Sequence, residues 1–386
     1  MSLFSKINKE GIGFPKYAEP AFHRLCHGSK HESRRVRGLL ERWFQQYPGS
    51  EQNDLRSRFS SSEDGQHWGA FFELYCFALV RAMGYSVEVH KSVERNSKAR
   101  VDITAKATGE IAFYLECTTT EDPWFNRGEQ ARLDRVLNTL DAIQLQDFFI
   151  GVEVHSAPKQ EIRLSKLRHF VAAKFEDLDA LSLLRSPEIE GLDAMPRWEY
   201  VDSGCRLTLF PVPVQAGRRT PRLSGSIGLV SYGARWAHLR EHLLNSLKSK
   251  ARKYGKPEAP FIVAVHAVEP VEDIDVMDAL FGQHSVVLYN GRIHHETRQP
   301  NGLWVSAKGP RNTRVSAVMV GGMLTPYSIA AVTPVLWHNP WAGRQLEADM
   351  WSGPQMVADE QTSQMKLGGG RRAWEILGLH QDWPRE

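Results

Sequence analysis

The alternation of apolar and polar positions is clearest between residues 68 and 120. An apolar run at residues 70–80 predicts a largely buried helix, which Gly84 ends. Residues 86–90 predict a strand, and residues 100–104 and 111–118 predict a hairpin joined by a turn at residues 107–110. The rest of the chain is interpreted around this helix, strand and hairpin.

Further helices and strands follow. A helix at residues 130–145 and a buried strand at residues 148–154 come after the hairpin, so we expect a right-handed crossover and a parallel pair in a mixed sheet. Residues 164–175 predict another amphipathic helix, and residues 32–46 predict a helix near the N-terminus. The second half predicts a hairpin, two helices and several strands, at residues 198–211, 234–255, 261–268, 273–281, 286–289, 314–320 and 330–337.

Composition excludes some classes of protein. Of 386 residues, 42% are hydrophobic and 24% charged, which is ordinary for a soluble globular protein, and a net charge of +3 does not by itself indicate nucleic-acid binding. No apolar run is long enough for a membrane span, and the N-terminus lacks the apolar core of a signal peptide. We therefore expect a cytoplasmic protein with no membrane partner, four reduced cysteines and, without a Walker A motif, no use of ATP.

Three acids stand out. Glu116 follows Asp102 by 14 positions, which places the two carboxylates nearly opposite each other in the predicted hairpin. Glu73 lies in the otherwise apolar helix. Neighbouring carboxylates repel each other unless a cation neutralises them, and Mg²⁺ prefers oxygen ligands. The pattern predicts a site for Mg²⁺, with Mn²⁺ as a substitute, at Asp102, Glu116 and Glu73. Each of these acids could alternatively be an ordinary surface or strand-end residue.

The order of these elements resembles the PD-(D/E)xK restriction-endonuclease-like superfamily, and more closely an uncharacterised bacterial group. The resemblance covers residues 68 to about 156. It rests on the helix motif Phe72-Glu73-Leu74-Tyr75, the strand at residues 84–90, Arg100-Val101-Asp102 and Leu115-Glu116-Cys117-Thr118. Two positions depart from the pattern: Val101 replaces a frequent Pro, and Thr118 stands where the catalytic Lys would be.

The resemblance implies an α/β fold with a restriction-endonuclease-like mixed-sheet core at residues 67–175. A basic helical extension would occupy residues 1–66, and a second α/β region would occupy residues 176–360. That region either extends the core or forms a companion domain. Residues 361–386 are predicted to be a poorly ordered tail.

In this superfamily the Lys positions and activates water and offsets transition-state charge. Several nearby residues could replace it here. Lys106 shares the strand face of Asp102 but lies about 13 Å along the strand, and Thr118 could bond the water without activating it. His90 could act as a base or a phosphate contact, or could be a plain strand-end histidine. The remaining candidates are Lys91, Lys98, Arg127 and Arg132.

Basic clusters are candidates for phosphate contact. They lie at residues 34–42, at Arg218 and Arg219, and at Lys250 and Lys253 near the end of a predicted helix. Arg127 and Arg132 are further candidates because they follow the strand that contains Glu116. A solvated helix face is the alternative explanation for residues 34–42, and complementation of the helix dipole is the alternative for the lysines at the helix end.

Two main functions follow. The first is a metal-dependent nuclease, an endonuclease by the resemblance, that hydrolyses phosphodiester bonds in DNA in bacterial defence or repair. A homodimer is the oligomer expected with this function. The second is a catalytically degenerate nuclease fold that binds nucleic acid or a protein. A remote third is a zinc hydrolase, because residues 238–242 match the pattern H-x-x-E-H without an identifiable third ligand.

Overall fold

A computed structural model describes most of the chain. The described residues are 1–4, 19–28, 31–93, 99–120, 127–145, 147–185, 195–214, 225–232, 239–289, 292–359 and 364–385. Within them, no helix is both long enough and apolar enough to cross a membrane.

The chain forms two compact units. Unit 1 comprises Met1–Ile7, Ser29–Asp122 and Ala237–Glu386, and unit 2 comprises Asn8–Gly28 and Pro123–Trp236. The boundaries predicted at residues 66, 175 and 360 do not coincide with this division, because unit 2 is inserted within unit 1. Linear boundaries cannot describe a unit whose parts are distant in sequence.

Four helices precede the first strand, and strands predominate after α9. The helices are α1 (Ala21–His27), α2 (His31–Gln46), α3 (Gln52–Phe59), α4 (Asp64–Ala82), α5 (Arg127–Asp141), α6 (Leu164–Phe175), α7 (Ala180–Arg185), α8 (Leu239–Ala251), α9 (Asp273–Phe281) and α10 (Ala373–Leu377). The strands are β1 (Ser86–Ser92), β2 (Arg100–Ala107), β3 (Glu110–Thr119), β4 (Phe148–Ser156), β5 (Trp198–Asp202), β6 (Cys205–Pro213), β7 (Ile227–Tyr232), β8 (Phe261–Ala267), β9 (His284–Tyr289), β10 (Arg292–Arg298), β11 (Val305–Ser306), β12 (Gly309–Pro310), β13 (Ala317–Gly322), β14 (Val335–His338), β15 (Gln355–Ala358) and β16 (Met365–Gly368).

Unit 1 contains an eight-stranded mixed sheet in the order β1-β2-β3-β8-β13-β14-β15-β16. The pairs β3–β8, β8–β13 and β14–β15 are parallel, and the other neighbours are antiparallel. All seven residues of β8 are buried, as expected for a strand covered on both faces. Val263 and Val265 of β8 share a core cluster with α8, whereas His266 stacks on Phe72 of α4. The prediction of an α/β fold with a mixed sheet is confirmed.

The predicted parallel pairing of the hairpin with residues 148–154 is wrong. β4 belongs to the separate four-stranded sheet of unit 2, in the order β5-β6-β4-β7, and the parallel partner of β3 is β8. The physical reason is the packing of α5, since Leu133, Val136 and Leu137 join β4 in the core of unit 2. Order along the chain predicts a crossover only when both strands share a sheet.

The prediction of a poorly ordered tail is also wrong for residues 364–385. β16 pairs with β15, and α10 packs against α4. Ala373 and Trp383 are buried. The C-terminal segment is therefore part of the core of unit 1, because its apolar residues bury themselves there rather than remain in water.

Candidate acidic site

The β2–β3 hairpin brings Asp102 beside Glu116 as predicted. Ile103 pairs with Leu115, and the turn residues Thr108 and Gly109 both have positive φ, of 50° and 89°, as in a type I′ turn. Asp102 and Glu116 are the residues next to this pair at the open end of the hairpin. The backbone N–H of Cys117 donates a hydrogen bond to Asp102 Oδ2 at 2.7 Å. The hairpin therefore holds both acids at one end of the paired strands.

Glu73, His90 and Asp102 form a compact group in which one ligand atom from each residue lies within 4.8 Å of the others. His90 interrupts β1 with a φ of 52°, a left-handed conformation that is uncommon outside glycine. This local turn lets the ring contact Glu73 Oε1 through Nε2 at 3.2 Å and Glu51 Oε2 through Nδ1 at 3.0 Å. The hydrogen bond to Glu73, more than any other influence, raises the pKa of His90 to about 9, so His90 is a cation at neutral pH.

Glu73 is almost completely buried and has three donors around it. Arg58 Nη1 lies 2.8 Å from Oε2, and the Tyr47 hydroxyl donates to Oε1 at 2.5 Å, in addition to the contact from His90. Burial alone would raise the pKa of Glu73, but the hydrogen bonds from His90, Arg58 and Tyr47 outweigh it and hold the pKa below its usual value. Glu73 is therefore an anion fixed between two cations.

Glu116 is fully buried and receives its partners from the end of α8. Lys250 Nζ and Lys253 Nζ each lie 2.7 Å from Oε1. The Tyr254 hydroxyl lies 2.5 Å from Oε2 and 2.6 Å from the carbonyl of Arg100. Lys250 lies in the last turn of α8, and Lys253 and Tyr254 follow in the turn after the helix ends at Ala251. The two lysines, predicted as nucleic-acid contacts, are thus also the ionic partners of Glu116.

Asp102 lies between these two ion-pair networks. Burial, followed by repulsion from Glu116 and then Glu73, raises the pKa of Asp102 to about 7, while the Cys117 N–H and the charge of Lys250 oppose that rise. The carboxyl group of Asp102 therefore has too little positive charge around it. An added cation would favour its ionised form.

The donor set fits a hard divalent cation centred on Asp102. Carboxylate oxygens of Asp102, Glu116 and Glu73 are the ligand type that Mg²⁺ prefers. His90 could bind a metal ion only after losing its proton, because a ligating imidazole is neutral. Glu73, His90 and Asp102 form the tightest group. A cation shared by Asp102 and Glu116, as the sequence predicted, would have to share Glu116 with Lys250, Lys253 and Tyr254.

The structure separates the other predicted site residues. The Lys106 ammonium pairs with Glu88 at 3.1 Å, so the structure does not bring it to the acids. Thr118 pairs with Val265 in the β3–β8 register and, two positions after Glu116, lies on the same face of β3. In unit 2, Arg132 Nε donates to the carbonyl of Pro158 at 2.7 Å. The side chain of Arg127 and residues Lys98, Arg218, Arg219 and His238 lie outside the described part of the chain, so the zinc pattern at residues 238–242 stays untested.

Sequence reasoning missed Arg58, Tyr47, Glu51 and Tyr254. Tyr254 lies 138 positions from Glu116, and no periodicity links residues so far apart. Lys250 and Lys253 were visible as a basic cluster near the end of a predicted helix, but a basic helix end has several ordinary explanations.

An open pocket of about 440 Å³ reaches the edge of the group at His90. Glu51, Lys91 and Arg100 also line it. The pocket therefore borders the acidic group at His90, and its surface carries two further cations, Lys91 and Arg100. Comparisons with family models, with curated proteins and with solved structures each find no match to this chain.

Proposed function

We propose that this protein is a metal-dependent nuclease of the PD-(D/E)xK restriction-endonuclease-like type, hydrolysing phosphodiester bonds in DNA. The observation that carries the proposal is the meeting of Glu73, Asp102 and Glu116 from α4, β2 and β3, with Lys250 bonded to Glu116. Acids from a helix and a hairpin, beside a lysine, are the groups that such hydrolysis requires.

Lys250 supplies the charge that Thr118 cannot. Its ammonium reaches Glu116 from α8 rather than from β3, and it also acts electrostatically on Asp102. A lysine here can orient a water molecule and offset negative charge on a phosphoryl oxygen. Lys253, at the same distance from Glu116 Oε1, adds a second positive charge.

Asp102 and Glu116 would hold Mg²⁺ or Mn²⁺, with Glu73 behind them. When bound, the ion would supply Lewis-acid polarisation of a phosphoryl oxygen. His90, as a cation at neutral pH held by Glu73 and Glu51, would add positive charge beside the phosphate rather than act as a base. Lys91 and Arg100 in the adjoining pocket would attract the DNA backbone. Action in bacterial defence or repair, in the cytoplasm and as a homodimer, belongs to the same proposal.

The test compares cleavage of plasmid, linear and single-stranded DNA in Mg²⁺, Mn²⁺ and chelator. We expect Asp102→Asn and Lys250→Met each to lower the rate by about 100-fold or more, since each removes charge stabilisation from the transition state. Lys106→Met is the matched control and should cut like wild type, because Lys106 pairs with Glu88. Wild-type cleavage that Asp102→Asn leaves unchanged would refute the site.

A second candidate is a catalytically inactive binding protein. Each oxygen of Glu73 and Glu116 already has a protein donor, as in a network that only stabilises a fold. On this hypothesis wild type binds DNA or a protein partner and cuts nothing in either metal. Isothermal titration with Mn²⁺ separates the two candidates, since heat that Asp102→Asn abolishes indicates a metal site.

A further inference from the structure

A second basic feature of unit 1 lies on α2, outside the acidic group. His31, Arg34, Arg35, Gly38 and Arg42 line an open pocket of about 560 Å³ together with residues of the C-terminal segment. At 100° per residue, these five positions fall within a stripe of about 100° on the helix. Val36, Leu39, Leu40, Trp43 and Phe44 bury other faces of α2 in the core.

Gly38 forms the floor of this α2 pocket. A glycine inside a helix costs about 1 kcal/mol relative to alanine, so its position needs a reason. A Cβ there would meet only Arg42 Nη1, at 3.8 Å, so packing within the protein does not require a glycine. The missing side chain instead leaves space beneath the Arg42 guanidinium.

The C-terminal segment forms the opposite wall. After α10, Gly378 turns the chain with a φ of 63°, and His380 and Trp383 line the pocket. Trp383 is 6% exposed, which anchors this wall in the protein. The arginines therefore line an open concave site that has a structured wall opposite them.

The charge in the pocket is unbalanced. Among the described residues, Arg34, Arg35 and Arg42 have no ion-pair partner, and no acid is part of the lining. Nearby, Glu41 accepts hydrogen bonds from the Ser2 hydroxyl and the Leu3 backbone, and Asp382 lies 3.9 Å from His380. Guanidinium groups match phosphate oxygens in pairs of hydrogen bonds, and the first turns of a helix add positive potential.

We propose that the α2 pocket binds a phosphomonoester: the 5′-phosphate of a nucleic-acid strand end or of a free mononucleotide. Three guanidiniums favour a dianion over the single charge of a backbone phosphodiester, and the two imidazoles add ring nitrogens that can form hydrogen bonds. The volume of about 560 Å³ falls in the usual range for a small-ligand site and accommodates a nucleotide. Binding at this site does not depend on cleavage at the acidic site.

The test measures binding by fluorescence anisotropy in chelator, which prevents metal-dependent cleavage. Labelled oligonucleotides of one sequence, with a 5′-phosphate or a 5′-hydroxyl, are compared, and a mononucleotide and inorganic phosphate serve as competitors. Arg34→Gln combined with Arg42→Gln should weaken binding of the 5′-phosphate strand by about tenfold or more, since it removes two charge-assisted contacts. Gly38→Met should weaken binding similarly without changing charge, because its side chain fills the floor.

Arg168→Gln, at an exposed position of α6, is the control for loss of one positive charge and should bind like wild type. A preference for the 5′-phosphate strand that both pocket variants lose supports a strand-end site. If the mononucleotide competes well and the strand shows the same dependence on the variants, a free nucleotide is the occupant. Equal binding of both strands overturns the proposal. The proposal is also overturned if neither strand binds and the wild-type protein, but not the pocket variants, binds vesicles of anionic phospholipid. Circular dichroism confirms that each variant is folded.

Discussion

The pairing of Glu116 with Lys250 and Lys253 makes a prediction about stability. Glu116 is fully buried, and both ammonium groups lie 2.7 Å from the same oxygen. Lys250→Met should cost about 1.5–3 kcal/mol, the usual worth of a hydrogen bond to a charged group. Lys253 still neutralises Glu116 in that variant, so the lower end of the range is expected.

The double variant Lys250→Met with Lys253→Met should cost more than the sum of the single changes. Only the Tyr254 hydroxyl would then remain on Glu116, and breaking a buried ion pair costs about 3–5 kcal/mol. Adding Glu116→Gln should recover most of that loss, because the unpaired charge is removed. Lys248→Met, on the same helix, is the control and should change stability little.

Urea unfolding provides the free energies, with hydrogen exchange in peptides from β3 reporting unit 1 separately. This separation matters because a chain with two units need not unfold in one step. If the double variant is as stable as Lys248→Met, the ion pairs of Glu116 with Lys250 and Lys253 do not stabilise the fold. If Glu116→Gln fails to restore stability, loss of lysine packing rather than unpaired charge is the cause.

Two further predictions concern pH and packing. Because the folded pKa of His90 is raised to about 9 from a usual 6.5, the stabilisation from His90 is complete below pH 6.5 and is lost as pH rises through 9. The loss of unfolding free energy in His90→Gln, measured by urea titration, should therefore shrink by about 1–2 kcal/mol between pH 6 and 9.5, allowing for solvent screening. A loss that does not change with pH would contradict the raised pKa. The methyl group of Gly151→Ala would overlap the Phe210 ring and should destabilise unit 2 by about 1–3 kcal/mol. A Cβ at Gly69 meets open space, so Gly69→Ala should stabilise α4 by up to about 1 kcal/mol. Thermal unfolding of the two variants checks the direction of both changes.

Local pattern predicted the centre of unit 1 well. The apolar run in α4, the strand β1 and the hairpin with its Thr108-Gly109 turn were all visible in the sequence. Hairpin register depends on residues only a few positions apart, so the closeness of Asp102 and Glu116 followed directly. The helix α6 was predicted at the bounds that the structure has.

The partners of those acids could not be predicted in the same way. Arg58 and His90 reach Glu73 from α3 and β1, and Lys250 reaches Glu116 over 134 positions. Such contacts depend on which helix covers which face of the sheet, and many arrangements bury apolar stripes equally well. The raised pKa of Asp102 is a consequence of that packing.

The sequence by itself determined α4, β1, the β2–β3 hairpin, α6 and the three acids, because each depends on local periodicity and turn chemistry. Only the tertiary structure decided that β8 rather than β4 pairs with β3 and that unit 2 is inserted in unit 1. It also decided that the C-terminal segment closes a pocket on α2. Pairing between distant strands is set by burial summed over the whole core, and the same side-chain pattern permits several partners until the chain has folded.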